Sequence, residues 1–211
     1  MNGIVVLEGG GPFRLHDDLD RRLLKEVKAE KVVVLPTADA FERPEELVIA
    51  AKEWAARLGV EIEPVMVMRR TEALDPESAR VLKGARAVWL VGDNPIHLRS
   101  VIKDTPIWEA MRAILDDGGL IVGAGQSASA LCDPMIDPRG GALALGLGMI
   151  QGMAIVCESE METSDRHART KKLANVPLVF LPSSSALVRR SSTWEHVGPS
   201  EIIGELPIPA R

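Results

Sequence analysis

The segment from Gly119 to Asp133 contains the residues whose types and spacing best suit covalent chemistry. A short apolar run, Leu120 to Val122, ends in glycines, and small residues follow Ser127. Residues 125–129 read Gly-Gln-Ser-Ala-Ser, close to the G-x-S-x-G nucleophile elbow with its last glycine replaced by serine. An elbow holds a serine at a sharp strand-to-helix turn and presents its hydroxyl over the end of a sheet. The alternative interpretation is a glycine-rich strand-to-loop turn in which the serine has no catalytic role.

The other residue types that often bind cofactors or metals do not form a motif. Two cysteines lie too far apart for a metal-binding spacing, and the four histidines are scattered along the chain. The glycines at 9–11 lack the G-x-G-x-x-G pattern of dinucleotide sites, because proline and phenylalanine follow them. We therefore expect no metal and no cofactor.

Composition indicates an ordinary globular protein. The chain has 211 residues, of which 46% are hydrophobic and 26% charged, and we expect one domain over residues 1–211. The net charge of -5 argues against nucleic acid or an anionic membrane surface as the partner. No apolar run approaches the roughly 20 residues of a membrane span. Without a visible signal peptide, a cytoplasmic location is the expectation.

Strands and helices are predicted to alternate from residue 3 to about residue 130. The predicted strands, which include 4–7, 31–35, 87–91 and 120–122, are continuous apolar runs, as in a parallel sheet covered on both faces. Amphipathic segments between them predict the helices. We expect a three-layer αβα fold with a central, mostly parallel sheet and a short antiparallel C-terminal part. The turns after Leu7, Leu35, Val91 and Val122 should then converge at one edge of the sheet.

With that layout, the chain resembles the dipeptidase E and cyanophycinase family of serine peptidases, whose fold is similar to that of the class I glutamine amidotransferases. The resemblance extends over most of the chain. Its markers are five segments in a fixed order: Gly9-Gly10-Gly11, Leu35-Pro36-Thr37-Ala38, Leu90 to Asn94 followed by Leu98, Gly123 to Ala128 with Asp133 to Ile136 downstream, and Gly146-Leu147-Gly148.

The resemblance implies acyl transfer, which needs an activated nucleophile and a site for the developing negative charge. It implies that Ser127 is the nucleophile and that the backbone N–H groups of Gly92 and Ala128 form the oxyanion hole. It also implies substrate contacts from Asn94, Arg166 and Arg169. The substrate would be a peptide or a small molecule with acidic or basic groups, and assembly as a homodimer is left open.

The sequence departs from the family where the base and its acidic partner should be. Counting from Gly146 places the family histidine at Glu158, whereas counting back from Lys172 places it at Thr163. The stretch expected to hold the acid, residues 181–186, has none. Three explanations stay open: His167 completes a rearranged triad, Glu158 serves as the base, or the site is inactive and the chain binds a ligand or a protein partner.

Overall fold

The molecule is organised around a seven-stranded sheet in a computed structural model that describes residues 2–157, 164–191 and 193–208. The strands of this sheet follow the order β13-β12-β1-β5-β4-β2-β3. The five strands β1, β5, β4, β2 and β3 run parallel, and β12 and β13 are antiparallel additions. Their bounds are β1 Ile4–Glu8, β2 Lys31–Leu35, β3 Glu61–Pro64, β4 Ala87–Leu90, β5 Leu120–Ala124, β12 Ala186–Arg190 and β13 Thr193–Val197.

Helices connect the parallel strands and begin at residues suited to that position. Proline occupies the first turn of four of them, where its missing N–H has no helical partner to lose. The Asn94 and Thr105 side chains accept backbone N–H groups at two helix starts. Among the described residues, no helix is both long and apolar enough to cross a bilayer. The helices are α1 Asp17–Val27, α2 Pro44–Leu58, α3 Arg70–Ala73, α4 Pro76–Arg80, α5 Pro95–Ile102, α6 Pro106–Asp116, α7 Gln126–Leu131 and α8 Ser164–Leu173.

Both faces of the central sheet are buried. Side chains alternate along each strand, so that Val5 and Leu7 of β1 join one hydrophobic cluster and Ile4 and Val6 join another. The first cluster contains side chains of α5, α6 and α7, and the second contains side chains of α1 and α2. The chain therefore has a three-layer αβα fold with a central, mostly parallel sheet, as the sequence predicted.

A second, smaller sheet packs beside the C-terminal part of this core. It has the order β10-β11-β14, with β10 parallel and β14 antiparallel to β11. Two short strand pairs, β6 with β9 and β7 with β8, lie between α7 and this sheet in the chain. The bounds are β6 Cys132–Asp133, β7 Met135–Ile136, β8 Leu143–Ala144, β9 Ile150–Gln151, β10 Ala154–Cys157, β11 Leu178–Leu181 and β14 Glu201–Ile203.

Candidate functional site

The turn between β5 and α7 has Gly125 at its apex. The strand ends at Ala124, the helix begins at Gln126, and Gly125 between them has φ 58° and ψ -129°. Residues with a side chain rarely adopt this positive φ, whereas glycine does so at little cost. In a nucleophile elbow the catalytic serine is the residue at the sharp turn. Here that position carries no side chain.

Ser127 lies two residues beyond the apex, in the first turn of α7. Its side chain is fully buried, and its hydroxyl donates a hydrogen bond to the Gly92 carbonyl oxygen at 2.9 Å. The expectation that Ser127 lies at the turn is therefore wrong. The reason is that β5 continues past Val122, because Gly123 pairs with Leu7 and Leu90 and Ala124 pairs with Glu8.

The apex faces a cavity of about 270 Å³ at the carboxyl edge of the parallel strands. All four segments that were expected to converge, those after β1, β2, β4 and β5, contribute residues to its wall. A Cβ atom placed on Gly125 would lie 3.8 Å from Asp93 Oδ1 and 4.0 Å from Gly10 Cα, so the cavity has room for a side chain. The wall consists of Gly9, Gly10, Gly11, Pro12, Asp39, Leu47, Gly92, Asp93, Ala124, Gly125 and Ser183.

A second cavity of about 480 Å³ adjoins the first, and Asp39 and Asp93 line both. Its wall adds Glu42, Asn94, His97 and the exposed ring of Phe41, which stacks edge-on against His97 at 4.7 Å. The two cavities form one groove along the edge of the sheet.

Carboxylates dominate the electrostatics of this groove. Asp39 Oδ1 accepts the backbone N–H of Asp93 at 3.1 Å, which fixes one carboxylate beside the other. Burial raises the pKa of the Asp93 carboxyl, and the negative charges of Asp39 and Glu42 raise it further. Arg139 lines the outer cavity, but its guanidinium is held by the Asp137 carboxylate at 2.7 and 3.0 Å. The groove is therefore suited to a positively charged group.

His16 holds two walls of the inner cavity together. Its Nε2 lies 2.9 Å from the Ser183 carbonyl oxygen and 3.2 Å from that of Gly10. Because both partners can only accept, Nε2 carries the hydrogen. The ring is 4% exposed, and burial lowers the pKa of His16 despite its two backbone hydrogen bonds. His16 thus ties the glycine loop after β1 to the turn before β12.

Two solved structures of peptidases have folds similar to that of this chain. No profile of a known protein family matches the chain, and no curated protein matches it. The crystal structure of a peptidase from an acI-B1 Actinobacterium has a TM-score of 0.87 and 24% sequence identity, covering 98% of this chain and 93% of that one. A candidate peptidase E protein from Listeria monocytogenes EGD-e has a TM-score of 0.72 and 14% identity, covering 92% and 98%. The chain has a peptidase E-like fold.

Within this peptidase E-like fold, His167 is separated from the apex by the small sheet. Its ring packs against Phe180 at 5.4 Å, and Phe180 belongs to the cluster on one face of that sheet. Cys157, which alternates to the opposite face, donates its thiol hydrogen to the Gly125 carbonyl oxygen at 2.8 Å. The structure therefore does not bring His167 to Ser127. The other predicted base, Glu158, lies outside the described residues.

The remaining predicted site residues are dispersed around the fold. The N–H of Ala128 donates to the Gly125 carbonyl oxygen at 3.0 Å, which engages it inside the first turn of α7. Gly92 lines the inner cavity, and Asn94 lines the outer one while its side chain caps α5. Arg166 and Arg169 lie on α8, where Arg166 packs close to Gly141 and Arg169 is exposed. The groove thus contains two of these residues.

Sequence reasoning missed several residues of the groove and its support, among them Gly125 as the apex, Asp93, Ser183 and His16. The clearest local signal of the turn is at Gly125. The run Gly123-Ala124-Gly125 contains two glycines, and Gly125 is the one that lies at the turn. The contact between His16 and Ser183 joins residues 167 positions apart, so no local pattern marks it.

Proposed function

We propose that this chain is a non-hydrolytic binding protein built on a peptidase E-like fold, and that it binds a small molecule with a basic group in the groove over Gly125. The observation that carries the proposal is the glycine at the apex of the elbow. Acyl transfer needs a nucleophile within reach of the substrate carbonyl, and the residue that faces the cavity has no side chain.

The surroundings of Ser127 support the same reading. Its hydroxyl is fully buried, and its hydrogen is donated to the Gly92 carbonyl, so a substrate in the cavity would not meet the Ser127 oxygen. Ser127 is the second residue of α7, and it does not belong to the described wall of the inner cavity.

The charge of the groove supports a basic ligand. Asp39, Asp93 and Glu42 line it, whereas Arg139, which also lines it, is already bound to Asp137. The exposed ring of Phe41 beside these carboxylates adds an aromatic surface, which attracts organic cations through its negative face. An alkylammonium or guanidinium group on an aliphatic stem matches both features.

A serine peptidase that uses Ser127 is the second candidate, and the two peptidases of similar fold favour it. This candidate requires Ser127 to break its bond to Gly92 and to move into the cavity with a base beside it. His167 is on the wrong face of the small sheet for that role.

A fluorophosphonate serine-hydrolase probe distinguishes the two candidates. We expect no labelling of the wild type or of Ser127→Ala, with an authentic serine hydrolase as the positive control for the reagent. Labelling of the wild type that disappears in Ser127→Ala would overturn the non-hydrolytic proposal.

Calorimetric titration tests the ligand class directly. We expect a short aliphatic diamine to bind, a dicarboxylate of equal length not to bind, and Asp93→Asn to weaken the diamine by about tenfold. The exposed carboxylate Asp18, which lies on α1 and lines neither cavity, supplies the matched control Asp18→Asn. Binding of the dicarboxylate in place of the diamine would refute the basic ligand while leaving a binding site in place.

A further inference from the structure

Two carboxyl groups are buried together beneath the glycine loop. Glu8, the last residue of β1, is 0% exposed, and Asp20, in the first turn of α1, is 1% exposed. Trp54 Nε1 donates to Asp20 Oδ2 at 3.0 Å. Within the described part of the chain, neither oxygen of Glu8 nor Asp20 Oδ1 has a donor when both groups are ionised. Three buried acceptor atoms are thus left unsatisfied.

One proton satisfies two of these three atoms. If Glu8 is protonated, its O–H can donate to Asp20, and the pair then has a single negative charge, stabilised by Trp54. Burial raises the pKa of Glu8 well above its ordinary value, and the nearby charge of Asp20 adds to the effect. Burial also raises the pKa of Asp20, to about 7.

Among residues 2–157, 164–191 and 193–208, no cation pairs with either carboxyl group. The Asp17 carboxylate, one turn earlier on α1, acts on Asp20 with a like charge, and it is itself bound to Arg57 at 2.8 Å. Trp54, from α2, is a neutral donor. Two carboxylates in such surroundings cannot both ionise at low cost, which is the condition under which a pair retains a proton.

The pair lies at the base of a loop that lines the cavity. Glu8 precedes Gly9, Gly10, Gly11 and Pro12, all of which form part of the wall over Gly125. Asp20 follows the same loop on the α1 side, where its N–H donates to the His16 carbonyl oxygen at 2.8 Å. The carboxyl pair therefore joins the two ends of residues 9–16, while the His16 ring fixes the middle of the loop to Ser183.

We propose that Glu8 stays protonated at neutral pH and donates its proton to Asp20, and that this hydrogen bond closes loop 9–16 against the core and so sets the shape of the cavity. The protonation of this pair does not depend on any ligand. Its effect on binding rests on the proposed function of the groove.

Infrared difference spectroscopy tests the proton directly. At pH 8 every exposed carboxyl is ionised, so a protonated carboxylic acid gives an isolated C=O band. We expect this band in the wild type and its loss in Glu8→Gln. A wild type without the band, or a band that survives in Glu8→Gln, would overturn the proposal. The wild-type measurement decides the question even if the variant fails to fold.

Hydrogen exchange tests the effect on the loop. We expect amides of residues 9–16 to exchange at least about tenfold faster in Glu8→Ala than in the wild type, with Glu8→Gln close to the wild type because its amide can still donate to Asp20. Val6→Ala is the matched control, since Val6 is fully buried on the same face of β1 and lacks a polar group. Equal acceleration in Val6→Ala and Glu8→Ala would show a general loss of packing and would sink the closing role.

These outcomes are independent of the probe and calorimetry experiments. Serine-probe labelling of the wild type would overturn the non-hydrolytic function without moving the infrared band. A wild type without the infrared band would overturn the proposal about Glu8, and it would leave the proposed groove and its ligand class unaffected.

Discussion

The Ser127 hydroxyl donates its hydrogen to the Gly92 carbonyl oxygen at 2.9 Å, which joins the first turn of α7 to the turn after β4. The bond is buried, so its removal leaves an acceptor without a partner. We expect Ser127→Ala to lower the free energy of unfolding by about 1–2 kcal/mol in a denaturant titration. Ser100→Ala, which removes an exposed hydroxyl on α5, should change it by less than about 0.5 kcal/mol. Equal effects of the two substitutions would contradict a structural role for Ser127.

Gly125 and Gly9 both line the inner cavity, but they should respond differently to an added methyl group. At Gly125 the space is open and only the positive φ is unfavourable, so Gly125→Ala should destabilise by about 1–3 kcal/mol. At Gly9 a Cβ atom would overlap the carbonyl oxygens of Leu181 and Pro182, which are backbone atoms. We expect Gly9→Ala to cost more than Gly125→Ala in the same unfolding assay. The reverse order would show that the cavity over Gly125 is closed.

The buried carboxyl pair should make stability depend on pH. Asp20 has a folded-state pKa of about 7, above its ordinary value of 3.8, so the folded chain binds more protons than the unfolded chain between these values. Stability from this group is therefore present below about pH 4 and is lost as the pH rises through about 7. An Asn side chain at position 20 can accept the Trp54 hydrogen bond without carrying a charge. We therefore expect the free energy of unfolding of Asp20→Asn to exceed that of the wild type by about 2–4 kcal/mol at pH 8. Unfolding curves at pH 5 and pH 8 measure the gain, and a pH-independent difference would count against the raised pKa.

His16 should make stability depend on pH in the opposite direction. Burial lowers its pKa below the ordinary 6.5, so the unfolded chain takes up a proton more readily, and stability is lost as the pH falls below about 6.5. A Gln side chain does not titrate. Its amide can donate a hydrogen bond to the carbonyl oxygens of Gly10 and Ser183, which His16 contacts. We expect His16→Gln to be less stable than the wild type by about 1 kcal/mol at pH 7, with the gap narrowing toward pH 5. A gap that widens at pH 5 would mean that protonated His16 is favoured in the folded chain.

Much of the fold follows from local patterns. Val32, Val33 and Val34 are apolar and β-branched, and they lie in the strand Lys31–Leu35 that the sequence predicted. Pro44 with two following glutamates marks a helix start, and Gly59 in a left-handed conformation ends that helix. The convergence of turns at the sheet edge also follows, because parallel strands place their carboxyl ends together.

The details of the site required contacts between distant residues. Gly123 and Ala124 resemble turn residues in the sequence, yet they extend β5 because their backbones pair with strands β1 and β4. That extension moves the apex to Gly125 and leaves Ser127 inside a helix. His167 lies in α8, and the face of the small sheet against which it packs is fixed by the alternation of β11.

The position of β1 has a consequence for how the chain is made. This strand is synthesised before both of its neighbours in the sheet, residues 120–124 and 186–190. The glycine loop that follows β1 therefore cannot reach its final place until residues 186–190 have left the ribosome, since non-local contacts form only when both partners are available. A nascent chain stalled before residue 186 would keep one edge of the apolar segment Ile4–Leu7 open to other proteins.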